Sequence, residues 1–259
     1  MAQAKKPAAL VVLISGASGL IGRELVQALT ADGHEVRTLV RRQPSAPGEF
    51  HWDPAAGTID PEALNSVDAV VNLSGASIGK IPWTASHKRA ILSSRIDTTR
   101  TLVEAIAQAS PAPRVLVQAS AVGYYGDRGE QELDEAATAG EGYLAEVTSA
   151  WEQEAQAVVG TSTRVVFART GLVIARGGAM APLRLQTLLG AGGPIGSGQQ
   201  WWPWVSLHDE IRALMFLIHT DSLQGPVNIA GPTPARSVEV TRSLARALRR
   251  PHWLGLPKF

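Results

Sequence analysis

The sequence predicts an α/β protein built on a doubly wound parallel sheet, with a small carboxyl-terminal lobe. Three observations support this fold. Short apolar runs alternate with segments of helical periodicity, a glycine-rich turn follows the first apolar run, and residues 177–203 are rich in glycine, proline and tryptophan. Alternation of strands and helices is typical of βαβ units around a parallel sheet.

The individual elements follow from the spacing of apolar residues. The apolar runs predict strands over 10–15, 35–40, 69–73, 115–119, 164–168 and 227–229. Helical spacing predicts helices over 20–29, 86–107, 145–159, 209–219 and 238–248, with Gly33 capping the first of them. Residues 41–65 are predicted as a long irregular connection, and 177–203 as part of a lobe that covers a substrate.

The composition is that of a globular protein and excludes several classes of function. The 24 basic and 23 acidic side chains nearly cancel, so neither a nucleic acid nor a membrane surface is predicted as a partner. There is no cysteine, which excludes disulfides and thiolate chemistry. The histidines and acids show no metal-binding spacing. Since no apolar run matches a signal peptide or a membrane span, we expect a cytoplasmic protein.

A phosphate-binding turn is predicted directly after the first strand, where three glycines lie three residues apart. The first glycine allows a tight turn, the second lets the backbone approach a pyrophosphate, and the third allows close packing of helix on strand. The N–H groups at the start of the helix attract phosphates. The residues predicted to contact a dinucleotide are Gly16, Ser18, Gly19, Leu20, Ile21 and Gly22.

The end of the second strand favours NADP(H) over NAD(H). Proteins that bind NAD usually carry an acid there, which accepts the adenosine ribose hydroxyls. Here Arg41 and Arg42 follow the strand, and the next acid is Glu49. Guanidinium groups suit a 2′-phosphate. A solvated basic strand end is the alternative interpretation.

Small residues follow the third strand and are predicted to pack against the cofactor ribose. Leu73, Ser74 and Gly75 lie in this segment. Arg95, early in the next long helix, is predicted to face the same cleft. A surface cation on that helix is an equally supported interpretation of Arg95.

These segments, in this order, resemble the extended short-chain dehydrogenases/reductases. More closely they resemble an atypical branch described as NAD-dependent epimerase/dehydratase-like or cell-division-inhibitor-like. The resemblance extends over nearly the whole chain, in the stretches 16–22, 72–76, 94–99, 120–126, 151–152, 169–173, 192–198 and 203–205. It implies an NAD(P)-binding Rossmann fold, a cofactor contact at Val173, and a substrate pocket that includes Tyr124 and Trp204.

The same resemblance implies a division of the chain. Residues 1–175, with part of 205–230 completing the sheet, would form the NADP-binding Rossmann domain, and 176–259 would supply segments of a substrate lobe. Relatives continue for several tens of residues, so the chain is either naturally short or truncated. Relatives often dimerise through a pair of helices, which makes a homodimer a further expectation.

The catalytic group of the resembling family is incomplete in this sequence. That family uses a tyrosine as general acid/base, a lysine one helical turn later that lowers the tyrosine pKa, and a Ser or Thr hydroxyl that polarises the substrate. Tyr143 lies at the tyrosine position. Val147 occupies the lysine position and Ala121 the hydroxyl position, with Ser120 beside it.

Two functions therefore remain open. One is an NADP(H)-dependent oxidoreductase or epimerase acting on a small carbonyl, hydroxyl or sugar-like substrate. The other is a non-catalytic NADP(H)-binding sensor or interaction protein. The loss of the lysine and the hydroxyl favours the second, whereas Tyr143 and the lobe rich in glycine and tryptophan favour the first.

Overall fold

The chain forms an α/β protein in a computed structural model that describes residues 8–79, 82–158 and 161–255. Its strands are β1 Val11–Ser15, β2 Glu35–Val40, β3 Glu49–Asp53, β4 Thr58–Ile59, β5 Ala69–Asn72, β6 Val115–Ala121, β7 Arg164–Thr170, β8 Leu172–Ile174, β9 Trp201–Trp202, β10 Trp204–Ser206, β11 Gly225–Ile229 and β12 Ala235–Arg236. Its helices are α1 Leu20–Ala31, α2 Ala85–Gln108, α3 Tyr143–Ala155, α4 Met180–Leu188, α5 Leu207–His219 and α6 Ser237–Ala247. Short 3₁₀ turns cover Pro61–Leu64, Val122–Tyr125 and Gln156–Val158.

Eight strands form one sheet in the order β11-β7-β6-β5-β1-β2-β3-β4. β1 pairs in parallel with β2 and with β5, β2 with β3, and β5 with β6, whereas β4 is antiparallel to β3. The chain builds outwards from β1 to β4 and then returns to the other side of β1 with β5. The strand order reverses between β1 and β5, and the carboxyl ends of such strands are where open α/β sheets bind ligands. The doubly wound Rossmann fold is confirmed.

The chain divides into two compact units, which are described separately. The first contains Met1–Ala119, Ser149–Phe167 and Leu214–Gly225. The second contains Ser120–Thr148, Ala168–Ala213 and Pro226–Phe259. The division at residue 175 that the resemblance implies stays a prediction.

The core of the first unit holds the strands that carry the predicted nucleotide turn. Leu13, Val70 and Leu116 lie on β1, β5 and β6, and they belong to one buried cluster with Leu102 and Ile106 of α2. The four-residue spacing of the two α2 side chains places them on one face of the helix. Burial of each leucine in this cluster contributes about 2 kcal/mol to the stability of the fold. The strands that carry the predicted nucleotide turn are therefore held by a packed core.

The second unit contains two small sheets. β8 and β10 pair in parallel, and β9 pairs antiparallel with β12. An isolated bridge joins Gly192 to His252. These pairings hold together segments that are far apart along the chain, namely those around residues 172, 204 and 235.

The prediction of an irregular connection over residues 41–65 is wrong. Residues 41–65 contain β3, β4 and a 3₁₀ turn, because the adjoining β2 supplies the hydrogen bonds that make a short polar strand stable. Residues 177–203 contain α4 and β9. Pro182 lies in the first turn of α4, where the missing N–H has no helical partner to lose.

The helix boundaries agree with the predictions to within a few residues. Gly33 has φ +86° and follows the end of α1, as its predicted capping role requires. α3 begins at Tyr143, two residues before the predicted start. The predicted end of this helix, residue 159, lies outside the described residues.

Candidate functional site

Three glycines form the turn after β1. Gly16 has φ +72°, and a Cβ on it would lie 2.7 Å from the backbone carbonyl of Leu73. The N–H of Gly19 donates to the carbonyl oxygen of Gly16 at 3.0 Å. A Cβ on Gly22 would overlap the carbonyl oxygen of Gly16 and lie 2.8 Å from the Cα of Ala17. The turn therefore packs backbone against backbone, and residues 16 and 22 must lack a side chain.

The turn leads into the N-terminus of α1. Gly19 is the N-cap residue, so no side chain caps the first N–H groups, and the first turn carries no acid. Ser18, beside it, is exposed. The N–H groups and the helix dipole favour an anion at this position. The backbone cradle formed by residues 16–22, tightly packed at Gly16 and Gly22, therefore presents uncapped N–H groups that fit the pyrophosphate of a dinucleotide.

A buried asparagine joins the strand ends around this turn. Asn72 Oδ1 accepts hydrogen bonds from the Ser15 hydroxyl at 2.6 Å and from the Ser74 N–H at 3.3 Å. Asn72 Nδ2 donates to Thr99 Oγ1 at 3.1 Å and to Gln118 Oε1 at 3.0 Å. The Asn72 side chain is fully buried, so these hydrogen bonds replace the ones that its polar atoms would make with water. They tie together β1, β5, β6 and α2.

Arg95 lies beside the segment that follows β5. Its Nη1 donates to the carbonyl oxygens of Ala76 at 3.1 Å and Ile91 at 2.9 Å. Its Cζ lies 4.8 Å from the centre of the Trp151 ring. A Cβ on Gly75 would lie 3.0 Å from the same Cζ. A glycine at position 75 thus lets the guanidinium lie against the backbone at the carboxyl end of β5.

Arg41 and Arg42 follow β2 directly, and both are exposed. Arg42 forms an ion pair with Glu49, the first residue of β3. Hydrogen bonds from Arg42 and from the Ser45 N–H lower the pKa of Glu49 to about 2. This end of the sheet therefore carries two cations and one firmly ionised carboxylate.

In the second unit, Tyr143 is the first residue of α3 and is half-buried. Val147 lies one turn later on the same face and is 3% exposed. Ala121 ends β6, and the neighbouring Ser120 is buried. The position of the family lysine is therefore filled by a packed apolar side chain.

Arg169 and Asn228, to which no role was predicted from the sequence, form a polar cluster with Tyr124 and Tyr125. Arg169 Nη1 donates to the Tyr125 hydroxyl at 2.9 Å, and that hydroxyl donates to Asn228 Oδ1 at 2.7 Å. The Arg169 Cζ lies 3.6 Å from the centre of the Tyr124 ring. The sequence feature that could have indicated Arg169 is its charge near the end of the apolar run that forms β7. The cluster fixes the orientation of both tyrosine rings.

Val173 and Trp204 lie on neighbouring strands of the second unit. β8 and β10 pair so that Val205 is opposite Val173 and Trp204 is opposite Leu172. The Trp204 carbonyl oxygen also accepts the Gly231 N–H at 2.6 Å. The predicted residues Ser120, Tyr124, Tyr143, Val173 and Trp204 all belong to this unit, whereas the glycine turn, the two arginines, 73–75 and Arg95 belong to the first.

A buried carboxyl group, Glu210, lies in the first turn of α5. It is 1% exposed, and its Oε1 accepts a hydrogen bond from Thr170 Oγ1 at 2.8 Å. Its Oε2 has no hydrogen-bond partner among the described residues. Burial raises the pKa of Glu210 to about 7, while the bond from Thr170 acts in the opposite direction. The side chain is thus poised to lose its proton near neutral pH.

The described residues hold neither a candidate metal site nor a candidate membrane span. Within them, no cluster of three or more histidine or acidic side chains has the geometry to hold a metal ion. Across the same part of the chain, no helix combines the length and apolar character needed to cross a bilayer.

Comparison with known proteins identifies the family. The sequence profile of the NAD dependent epimerase/dehydratase family matches residues 12–230. An epimerase family protein of Mycobacterium leprae is 43% identical over the whole of this chain and 83% of its own length.

Two solved structures have the same fold and substantial identity. Human epimerase family protein SDR39U1 with NADPH is 35% identical, with a TM-score of 0.86, over 96% of this chain and 83% of the human chain. The nucleoside-diphosphate sugar epimerase of Corynebacterium glutamicum is 34% identical, with a TM-score of 0.81, over 96% of this chain and 53% of its own. With a glycine turn at the switch point of its sheet and relatives that match it nearly from end to end, this chain belongs to the NAD-dependent epimerase/dehydratase family.

Proposed function

We propose that this protein is an NADP(H)-dependent oxidoreductase or epimerase of the extended short-chain dehydrogenase/reductase type. Its substrate would be a small carbonyl, hydroxyl or sugar-like compound. The observation that carries the proposal is the backbone cradle at Gly16 and Gly22, which opens onto the N-terminus of α1 at the switch point of the sheet. The NADPH in the structure of human SDR39U1 supports the choice of cofactor.

The residues of the first unit fit a dinucleotide phosphate in both shape and charge. The glycine turn would hold the pyrophosphate through backbone N–H groups, and Leu73, Ser74 and Gly75 would contact the nicotinamide-side ribose. The guanidinium of Arg95, already placed against Gly75, adds positive charge at the same strand end. Cations after β2 would bind the 2′-phosphate.

A bound nicotinamide supplies hydride transfer. The chain must then orient the substrate and move one proton. Tyr143 is the proposed proton donor and acceptor, Ser120 the proposed hydrogen-bond donor to the substrate oxygen, and Tyr124 and Trp204 the proposed walls of the substrate pocket. Because Val147 carries no charge, Tyr143 receives no cationic assistance from its own helix.

The second candidate function is a non-catalytic NADP(H)-binding sensor or interaction protein. Burial of Val147 and the presence of Ala121 at the hydroxyl position favour it, since two of the three groups in the family mechanism are missing. Both functions require the same dinucleotide site, so they differ only in turnover.

Turnover assays separate these two functions. NADPH oxidation would be followed by nicotinamide absorbance with small aldehydes and ketones. Epimerisation of nucleotide sugars, which leaves the cofactor unchanged overall, would be followed by separating the two epimers. We expect Tyr143→Phe to abolish turnover while leaving the Kd of NADPH unchanged. Thr148→Val, the matched control, removes a hydroxyl of the same helix that donates to the carbonyl oxygens of Leu144 and Ala145, and should retain turnover per folded molecule. Unchanged turnover in Tyr143→Phe would remove this residue from the mechanism, and no turnover with any substrate would favour the sensor.

The cytoplasmic location and the homodimer stay predictions. The name of the Corynebacterium glutamicum relative makes nucleotide sugars the first substrates to test.

A further inference from the structure

A loop of sixteen residues, 127–142, leads directly into Tyr143 in the second unit. The structure describes this loop throughout and gives it no helix or strand, and loops of this length in compact domains are usually functional or act as linkers. We propose that its tip, residues 129–132, is a gate to the substrate pocket, and that an ion pair between Glu130 and Arg236 is the latch that closes the gate. Because the pocket is that of the proposed function, the gate rests on that proposal and adds a control of access to it.

Loop 127–142 is strongly acidic. It carries one basic side chain, Arg128, against six acidic ones, whereas the whole chain has a net charge of +1. The acidic residues are Asp127, Glu130, Glu132, Asp134, Glu135 and Glu141. Since like charges repel each other, the observed conformation of the loop depends on the contacts that fasten it.

The base of the loop is fastened by an arginine and by close backbone packing. Arg128 Nη2 donates to the carbonyl oxygens of Thr138 at 3.2 Å and Ala139 at 3.0 Å, and its Nε donates to the Tyr125 carbonyl oxygen at 3.2 Å. A Cβ on Gly140 would overlap the carbonyl group of Tyr125, so the backbone of one end lies directly against that of the other. The two ends of the loop are therefore held together independently of the tip.

The middle of the loop is held against β11. The Asn228 N–H donates to Glu135 Oε1 at 2.8 Å, and Asn228 Nδ2 donates to the Leu133 carbonyl oxygen at 3.5 Å. Arg169 Nη1 donates to the Glu135 carbonyl oxygen at 3.4 Å. These bonds begin at Leu133, so movement of the tip is confined to the residues before it.

A carboxylate side chain fastens the tip. The two carboxylate oxygens of Glu130 accept hydrogen bonds from Arg236 Nη2 at 2.9 and 2.8 Å. Trp201 Nε1 donates to Glu130 Oε2 at 3.2 Å, and the Arg236 Cζ lies 4.0 Å from the centre of the Trp201 ring. The Glu130 side chain is 70% exposed, against 25% for Arg236. The latch is therefore open to water and salt on the side of the loop.

Arg236 is the fixed half of the latch, and the tip is the half that can move. Arg236 ends β12 and is the N-cap of α6, where its N–H donates to Glu239 Oε2 at 2.6 Å. Its Nη1 donates to the carbonyl oxygen of Gln199. On the other side, Gly129 precedes Glu130, has φ +59°, and a Cβ on it would meet no described atom within 4 Å. A glycine in such open space is a point where the backbone can turn.

The contacts at the base and at the tip differ in strength. An exposed ion pair contributes little to stability and is screened by salt, so the latch opens at low cost while the packed base stays closed. Trp201 and Gln199 belong to the segment 177–203, which is predicted to cover the substrate. The latch thus joins that segment to the loop that leads into Tyr143. Loops that close over a pocket exclude water from it and control the entry of substrate.

The first experiment measures opening of the tip. Because the chain has no cysteine, Gln131→Cys supplies a single thiol for a bimane label, whose fluorescence is quenched by contact with tryptophan. We expect Glu130→Gln to increase the fluorescence, since the tip moves away from Trp201. Raising NaCl from about 0.05 to 1 M should do the same in the protein with the intact latch and much less in the variant. Glu132→Gln, which removes an equal charge from the same tip, should change little, and Trp201→Phe identifies the quencher.

The second experiment measures access to the pocket. Tyr143→Cys places a single thiol at the end of the loop, and its rate of reaction with uncharged N-ethylmaleimide reports access to this position. We expect Glu130→Gln to raise the rate about two- to fivefold at low salt, the effect of one exposed ion pair. Arg236→Gln should have the same effect, and the two substitutions together should add nothing to either, because both remove one contact. Glu132→Gln is again the control.

The outcomes separate the gate from the proposed function. Bimane fluorescence that does not respond to Glu130→Gln would overturn the latch, and an opened tip with an unchanged rate at Tyr143→Cys would overturn the gate. An equal response to Glu132→Gln would show a general effect of charge and would also overturn the latch. Neither measurement needs a cofactor or turnover, so failure of the wild type to bind NADPH would overturn the proposed function separately.

Discussion

The Ser15 hydroxyl donates a hydrogen bond to Asn72 Oδ1 at 2.6 Å and so joins the carboxyl ends of β1 and β5. These two strands lie on either side of the point where the sheet order reverses. Gly16 follows Ser15, and the Ser74 N–H binds the same oxygen of Asn72. One buried side chain therefore sets the separation of the two backbone segments that are proposed to hold the dinucleotide.

Replacement of the Asn72 side chain should lower the stability of the fold. Asn72→Ala would remove the partner of the buried Ser15 hydroxyl and of Gln118 Oε1, whereas Thr99 Oγ1 would keep its bond from Trp151 Nε1. We expect a loss of about 3 kcal/mol in the free energy of unfolding. Urea denaturation measures it. Asn65→Ala, which truncates an exposed asparagine of the same unit, is the matched control. A loss below about 1 kcal/mol for Asn72→Ala would show that the network is not required.

The third glycine of the turn should tolerate no side chain. A Cβ at residue 22 meets the backbone of Gly16 and Ala17, so the helix must move away from the turn. We expect Gly22→Ala to weaken NADPH binding by about tenfold or more and to cost about 1–3 kcal/mol of stability. Gly79→Ala, where the added Cβ would make an ordinary contact at 3.6 Å, should change neither quantity. Normal NADPH binding by Gly22→Ala would contradict the proposed role of the cradle.

Glu210 should make stability depend on pH. Its pKa is about 7 in the folded protein against 4.5 for an ordinary glutamate, so between these values the folded state keeps a proton that the unfolded state has lost. Its contribution to stability therefore falls by about 3 kcal/mol as the pH rises from below 4.5 to 7, and changes little above that.

The measurement is urea denaturation of the wild type and Glu210→Gln at pH 5 and pH 8. Because the amide does not titrate, the variant should gain stability relative to the wild type as the pH rises. Thr170→Val removes the hydrogen bond that opposes the shift and should deepen the decline in stability between the two pH values. A difference between wild type and Glu210→Gln that is the same at both pH values would contradict this account.

The strands of the parallel sheet and the place of the glycine turn could be predicted from the sequence because both depend on local pattern. Buried parallel strands are apolar throughout, and a turn that packs backbone on backbone needs glycine. By contrast, β3 begins and ends with charged residues and has only Phe50 and Trp52 as large apolar side chains. Polar and apolar residues alternate along it, a strand pattern that was passed over because prolines and glycines surround so short a run. Pairing with β2 completes the strand.

The candidate site was predictable only in part. Arg41 and Arg42 look equivalent in the sequence, and they differ only because the connection between β2 and β3 turns Glu49 towards the second of them. The bond between Arg169 and Tyr125 joins residues 44 positions apart. Such partnerships depend on the tertiary fold rather than on the spacing of residues.

The central claim is that the turn at Gly16, Gly19 and Gly22 is part of an NADP(H) site. The most direct measurement is a titration of the purified chain with NADPH and with NADH, followed by nicotinamide fluorescence. The account predicts saturable binding of NADPH at one site per chain, with NADH weaker by about tenfold or more for lack of the 2′-phosphate contact. Equal affinities would contradict the assignment of the 2′-phosphate site, and the absence of saturable binding of either nucleotide would contradict the claim itself.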